Sequence, residues 1–245
     1  MPNSQSRSAS QQWKYSHRDL QRPPSLQHGI SLAEERELRS KAAKFISNMG
    51  YALKLPQLVI ATAQTFMHRF YMRESFKKHQ YHDVSSAAVF LATKVEETGR
   101  RLRAVITAAA QKAKKDDSHQ VLEGSKEYRN WYDNMMYYEE LLLAVLCWDL
   151  TVEYPYERIL ILCKAIGASQ DQKDSAWALA NDCYRSPFCL QYGPGEIAVA
   201  CMMIGSKTQF SNTHPEMALT FNLEWPHFSK MCQDVDADTD IVLGK

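Results

Sequence analysis

The sequence predicts an all-α protein built from a duplicated helical unit. Helix-start and helix-stop signals follow one another along nearly the whole chain. Glycine and proline are scarce, 9 of each in 245 residues, which suits helices better than the turn-rich sequence of an all-β chain. The two halves also resemble each other weakly. Leu91-Ala92-Thr93-Lys94 matches Ile204-Gly205-Ser206-Lys207 in type and His68-Arg69 matches Tyr184-Arg185, at offsets of 113 and 116 residues.

Each element rests on a local signal. Residues 1–12, MPNSQSRSASQQ, are polar and lack aromatics, so they are expected to be disordered. Trp13 and Tyr15 follow, in front of Pro23 and Pro24. Aromatics beside a flexible tail dock on something, either the protein's own body or a partner. Ser31-Leu32-Ala33-Glu34 reads as a capping box, with Ser at the N-cap and Glu at N3. It opens a helix to Met49, with Gly50 in the closing C′ role. Pro56 begins the next helix at its first turn, and Leu58, Val59, Ile60, Ala63, Phe66, Met67 and Phe70 give it a broad apolar face. The third helix contains AAVFLATKVEETGRRL, residues 87–102. It is apolar nearly all round as far as Ala92, so it is expected to be buried on most sides. Its charged end is awkward, because Glu96 and Glu97 sit where the helix dipole disfavours negative charge. A fourth helix is expected over 102–114, a loop over 115–127 and a fifth helix over 128–147.

The second half repeats this rhythm. Tyr154-Pro155 opens a helix ending at Gly167, and Ser169 to Gln172 is another capping box whose helix stops at Pro187. Pro194 to Ser206 is a small, oily helix, and further helices are expected after Pro215 and over 225–235. A short strand is the reading for Thr151 to Tyr154.

Composition narrows the function. Hydrophobic residues are 45% and charged residues 23%, as in ordinary globular domains. The net charge of +1 gives no strong push towards nucleic acid or an anionic membrane. No apolar run reaches the ~18 residues that span a bilayer, and the N-terminus carries no apolar stretch of the secretory kind. The six cysteines, 147, 163, 183, 189, 201 and 232, form no C-x-x-C pair and sit mostly among apolar residues. They read as reduced core thiols, with no metal site implied.

Enzyme signatures fail in turn. His17-Arg18-Asp19-Leu20 resembles the start of a kinase catalytic loop, but the Asn due four residues after the Leu is missing, and no Gly-rich loop or D-F-G accompanies it. There is no P-loop, G-x-S-x-G, H-E-x-x-H or dinucleotide fingerprint. No catalytic residue and no cofactor is implied.

MHRFYMRESF (67–76), AAVFLATKVEET (87–98) and EELLLAVLCWDLTVEYPY (139–156) resemble the cyclin box, in particular that of transcriptional cyclins of the T and K type. The resemblance covers about Trp13 to Gln233. It implies two tandem five-helix cyclin boxes, 31–150 and 151–245, behind a flexible N-terminal segment, 1–30. It also implies a function without catalysis: binding a cyclin-dependent kinase catalytic subunit and pushing that kinase's C-helix inward to complete its Lys–Glu pair. By matching position the contact would use Lys94 and Glu139. Spacing to the Asp-Leu after the fifth helix selects Glu139 over Glu140. Leu91, Val95, Leu143, Trp148 and Leu150 would supply the apolar part of the surface and Glu97 a further contact, while Trp13 and Tyr15 could reach the kinase from the N-terminus. Arg69 is expected to serve an internal salt bridge.

One departure refines the assignment. The substrate-docking stretch of cell-cycle cyclins, M-R-A-I-L, is replaced by Leu38-Arg39-Ser40-Lys41-Ala42, with a lysine where a large apolar residue is needed. That favours a transcriptional cyclin: nuclear, promoting transcription elongation, its kinase acting on the C-terminal domain of RNA polymerase II. No membrane and no direct nucleic-acid contact are expected. The alternative is a cyclin-fold transcription-factor or nucleic-acid-binding module without a kinase partner, which would need a basic face that the sequence does not display.

Overall fold

The computed structural model describes residues 12–213, with side chains described through 205. The described chain is helical, and no strand occurs among the described residues. The chain divides into two compact units: unit 1 runs to Val152 and takes in Arg185–Gln191, and unit 2 comprises Glu153–Tyr184 and the chain from Tyr192 onward.

Unit 1 opens with a single helical turn, α1 (His17–Leu20), and a 3-10 turn, Pro24–His28. The HRDL stretch is thus a capped turn. The Ser16 hydroxyl accepts from the Asp19 N–H and the Asp19 carboxylate accepts from the Ser16 N–H. Five long helices follow: α2 (Leu32–Ala52), α3 (Gln57–Phe70), α4 (Tyr81–Val95), α5 (Leu102–Lys114) and α6 (Lys126–Val145). Ser31 caps α2 by accepting from Glu34 N–H at 3.2 Å. The loop expected over 115–127 is shorter than predicted, because Ser125 caps α6 through the Tyr128 N–H.

α4 is the axis of the unit. It packs against α2, α3, α5 and α6, and every residue from Val84 to Thr93 is buried. The all-round apolar reading of 87–92 holds for this reason. Burying a side chain such as Phe90 or Leu91 contributes about 1.5–3 kcal/mol. α3 is equally enclosed, buried from Val59 to Phe70.

Gly50 has a role other than the predicted one. α2 continues past it to Ala52, and the left-handed C′ position falls to Lys54 (φ 50°). A Cβ on Gly50 would lie 2.5 Å from Ile60 Cγ1, so the glycine serves close approach of α2 to α3. The short strand expected at Thr151 to Tyr154 is absent. That stretch is irregular, and the Thr151 carbonyl is taken by Arg69 Nη2 at 2.8 Å.

Unit 2, in its described part, holds α7 (Tyr156–Ile166), α8 (Gln170–Cys183) and α9 (Pro194–Thr213). Gly167 closes α7 in the left-handed conformation (φ 63°) and Ser169–Gln172 is a reciprocal capping box. α8 ends at Cys183, before Pro187, which starts a 3-10 turn, Pro187–Leu190, in unit 1. α9 packs on α7 and α8, as α4 packs on α2 and α3. The helices expected beyond Pro215 and over 225–235 lie outside the described residues, as do Cys232 and the tail before Gln12.

Candidate functional site

The site forms where α4 and α6 end side by side. Lys94, in the last turn of α4, sends Nζ to Oε1 of Glu139 on α6 at 2.6 Å, and the same Nζ lies 4.1 Å from the centroid of the Phe90 ring. The Glu139 side chain is 13% exposed and that of Lys94 is 50% exposed. The acid is therefore half-sunk and the lysine reaches over it from solvent. Glu140 is exposed, and the Lys94 hydrogen bond goes to Glu139.

Both helices finish in the same way. At α4, Glu97 N–H donates to Lys94 O at 3.2 Å and Thr98 N–H to Thr93 O at 2.9 Å, with Glu97 left-handed at φ 52°. At α6, Cys147 N–H donates to Ala144 O and Trp148 N–H to Leu143 O, both at 3.0 Å, with Cys147 and Trp148 left-handed at φ 53° and 59°. These are Schellman endings with no glycine at C′. Each turns the chain sharply, leaving Glu97 exposed and the Trp148 ring 73% exposed.

The ending of α6 is clamped from beneath. Arg73 Nη1 donates to Val145 O at 2.6 Å and to Cys147 Sγ at 2.8 Å. Arg69 Nη1 donates to Asp149 O at 3.2 Å. Both guanidinium groups lie over the Trp13 ring, Arg73 at 4.2 Å and Arg69 at 5.0 Å from its centroid. Trp13 Nε1 donates to Asp149 Oδ2 at 2.9 Å, and Gln12 Nε2 donates to the same oxygen at 2.7 Å. Burial works to raise the Asp149 carboxyl. The hydrogen bonds from Gln12, Trp13 and the Thr151 N–H, with the nearby Arg69 charge, outweigh it and hold the group below its ordinary value.

The predicted residues thus separate. Lys94, Glu139, Val95 and Leu143 share one surface region, with Trp148 and Glu97 at the turns beside it and Leu150 half-buried just beyond. Leu91 does not belong there. It is 4% exposed in the core and offers no surface, because α4 is buried from Val84 to Thr93 and opens again only at Lys94. Trp13 is likewise 2% exposed. It docks on its own unit, and the reading of it as a partner contact is corrected. Tyr15 is half-buried, its N–H bonded to Leu190 O at 2.8 Å. Residues 12–30 are accordingly packed on unit 1 through Trp13, Pro23, Ser25 and Ile30. Arg69 bonds backbone carbonyls in addition to its attraction to Asp149, so it is more than an ion-pair partner. The awkward acids also find uses: Glu96 accepts from Thr62 Oγ1 at 2.8 Å and Glu97 occupies the left-handed turn. Arg100 donates to the carbonyls of Leu53, Lys54 and Thr98.

Three residues escaped the sequence reading. Arg73 was visible only as the last arginine of MHRFYMR, and its target lies 72 residues away. Tyr132 and Met136 lie seven and three residues before Glu139, on the same helical face. Tyr132 is 43% exposed and Met136 is half-buried. Among the described residues no group of three or more His, Cys, Asp or Glu could hold a metal, and no helix is long and apolar enough to cross a membrane.

Comparison with known proteins bears on the family and the fold. The family model "Cyclin, N-terminal domain" matches residues 11–151. The chain is 43% identical over 200 residues to Cyclin pch1 of Schizosaccharomyces pombe, covering 81% of this chain and 58% of that protein. It is 34% identical over 203 residues to human Cyclin-T2, covering 82% of this chain and 28% of that protein. The chain therefore spans between about a quarter and three fifths of the length of these relatives. Among solved structures, a chain of the yeast RNA Pol II CTD kinase CTDK-1 complex superposes with a TM-score of 0.69 at 18% identity, over 91% of this chain and 71% of that chain. A chain of the yeast TFIIK complex does so with a TM-score of 0.63 at 22% identity, over 94% and 95%. At such identities these two carry the fold alone. With the family model spanning more than half of its residues, the chain belongs to the cyclin family.

Proposed function

We propose that this chain is a transcriptional cyclin: a non-catalytic subunit that binds and activates a cyclin-dependent kinase acting on the RNA polymerase II C-terminal domain, in the nucleus, and so promotes transcription elongation. The observation that carries the reading is the Lys94–Glu139 pair at 2.6 Å, set between two helix endings that expose Trp148 and Glu97. Its similarity to Cyclin pch1 and Cyclin-T2 supports the transcriptional assignment. The two boxes, 31–150 and 151–245, are part of the same proposal.

The pair is suited to hold a partner's backbone. Lys94 has three donor hydrogens and Glu139 uses one of them. The others can meet carbonyls at the end of a kinase helix, while the second carboxylate oxygen can accept from an N–H. Val95, Leu143, Met136 and Tyr132 supply apolar area around the pair, and Trp148 stands at the edge as an aromatic anchor. Docking would exclude water from the pair, which strengthens it but makes loss of one partner severe.

The test is co-purification. Lys94→Ala with Glu139→Ala is expected to lose the kinase, a cost of about 2–5 kcal/mol, while the circular dichroism stays helical. A double variant that retains normal kinase binding overturns the assignment of the site.

A further inference from the structure

A second concave site lies in unit 1, away from Lys94 and Glu139 and sharing no residue with them. It is a cavity of about 300 Å³ enclosed by α1, the start of α2 and the 185–191 segment. Leu20, Pro187 and Phe188 supply an apolar wall, the last 44% exposed, and the polar His17, Gln21, Ser186 and Gln191 line the cavity beside it. At this volume it sits at the lower end for ligand pockets, large enough for one aromatic side chain.

Its polar groups are unusual. Glu35 lines the cavity although the residue is only 1% exposed. Its Oε1 accepts from Arg39 Nε at 2.6 Å, and among the described residues this is the side chain's one hydrogen bond. Arg39 is saturated elsewhere: its Nη1 donates to His68 O at 3.0 Å and its Nη2 to Tyr71 O at 2.9 Å. The second carboxylate oxygen of Glu35 is therefore left with acceptor capacity in the cavity. Because Arg39 balances Glu35, the charge offered to a ligand comes from Arg36 and Arg185, which also line the cavity and are both exposed. Arg36 makes no hydrogen bond or ion pair among the described residues, and its positive charge reaches Glu35.

We propose that this cavity is a peptide-docking site that takes a tyrosine next to an anionic residue. The ring lies against Leu20, Pro187 and Phe188, the phenol O–H donates to Glu35, and the neighbouring phosphate or carboxylate rests on Arg36 and Arg185. Tyrosine is the side chain that meets both demands of the interior, an apolar body and a single donor at its tip. Phenylalanine would fill the same space but leave the carboxylate oxygen without a donor, and such a mismatch in a buried site discriminates strongly. The anionic neighbour follows from charge complementarity, since two guanidinium groups suit a phosphate or a carboxylate. Burial pushes the Glu35 carboxyl up against the pull of Arg39 and Arg36, which is a desolvated group that a donated hydrogen bond would relieve. The site belongs to unit 1 alone and stands whether or not Lys94 and Glu139 hold a kinase.

The test uses the full 245-residue chain and a fluorescein-labelled Gly-Gly-Tyr-phosphoSer-Gly-Gly peptide read by fluorescence anisotropy. Saturable binding is expected. Replacing Tyr with Phe in the peptide, or Arg36→Glu in the protein, should each weaken it at least tenfold. Phe188→Ser should do the same without touching any charge, and circular dichroism confirms that each variant is folded. A peptide with Glu in place of phosphoserine separates the two anion sources, and binding of either supports the site. Equal binding of the Phe peptide overturns the proposal, as does displacement by equimolar inorganic phosphate or the absence of binding by both the phosphoserine and Glu peptides.

Discussion

In unit 1 the Glu35 carboxylate and the Arg39 and Arg69 guanidinium groups are all at or below 6% exposure, and nine further polar side chains are buried with them. In unit 2 the buried side chains among the described residues are apolar, aromatic or thiol, from Ile159 and Leu162 to Cys163 and Met202. The two helical units are thus held in two ways. Unit 2 is held by packing, which tolerates exchange of one apolar shape for another. Unit 1 adds buried donors aimed at particular carbonyls, Arg39 at His68 and Tyr71 and Arg69 at Asp149 and Thr151, with the exposed Arg73 reaching Val145 beside them. Those carbonyls belong to helix ends and turns. Burying charge in this way does not raise stability by itself; it fixes where helices stop, and the end of α6, one side of the candidate site, is such a stop.

The largest effect should come from breaking this network. Arg39→Ala leaves Glu35 uncompensated in the core and is expected to cost about 3–5 kcal/mol, read from urea unfolding. In unit 2, Asn181→Ala removes the acceptor of the Tyr156 hydroxyl, 2.9 Å away, and should cost only about 1 kcal/mol. Equal losses in the two units would undo the contrast. Next is Gly50→Ala, whose new Cβ would meet Ile60. Overpacking there should cost about 1–3 kcal/mol, and adding Ile60→Val should recover part of it if the close approach of α2 and α3 is the cause. Smaller still, Glu97→Gly relieves a left-handed residue and should raise the melting temperature, by about 0.5–1 kcal/mol in stability. A fall would mean that the Glu97 side chain contributes more than its backbone strain removes. The smallest effect is a slope. Because the folded Asp149 carboxyl lies below its ordinary value, its contribution is complete above the unfolded pKa of about 3.9. It is lost as pH falls through the lower folded value. Asp149→Asn should flatten that part of the acid-unfolding curve.

Much of this was legible in the sequence, and the reasons are physical. Helix starts and stops were clear because capping is local: Ser31 and Ser169 at starts and Gly167 at a stop act on groups within a few residues. α4 was recognisable as a central helix because ten consecutive buried positions leave no polar face. Lys94 and Glu139 came from resemblance, and no local rule would have paired residues 45 apart in sequence. Gly50 was misread because a glycine that ends a helix and one that admits a neighbouring helix look the same without the neighbour. Leu91 was misplaced because periodicity gives a helix's faces and not which of them another helix covers. The clamp on α6 was invisible for the same reason, since Arg73 and Trp13 act on backbone and carboxylate groups far along the chain.

The clamp has a consequence for synthesis. Trp13 leaves the ribosome early, while its partner Asp149 is 136 residues further on. At elongation rates of about 5–20 residues per second the interval is roughly 7–27 s. Throughout that time the indole has no finished pocket, and Arg73 and Arg69 lack the carbonyls at the end of α6 and just beyond it that they hold. This closure of unit 1 therefore cannot be completed until the end of α6 and Asp149 have emerged. A nascent chain stalled before residue 149 would display an unpaired indole, the kind of surface on which chaperones act.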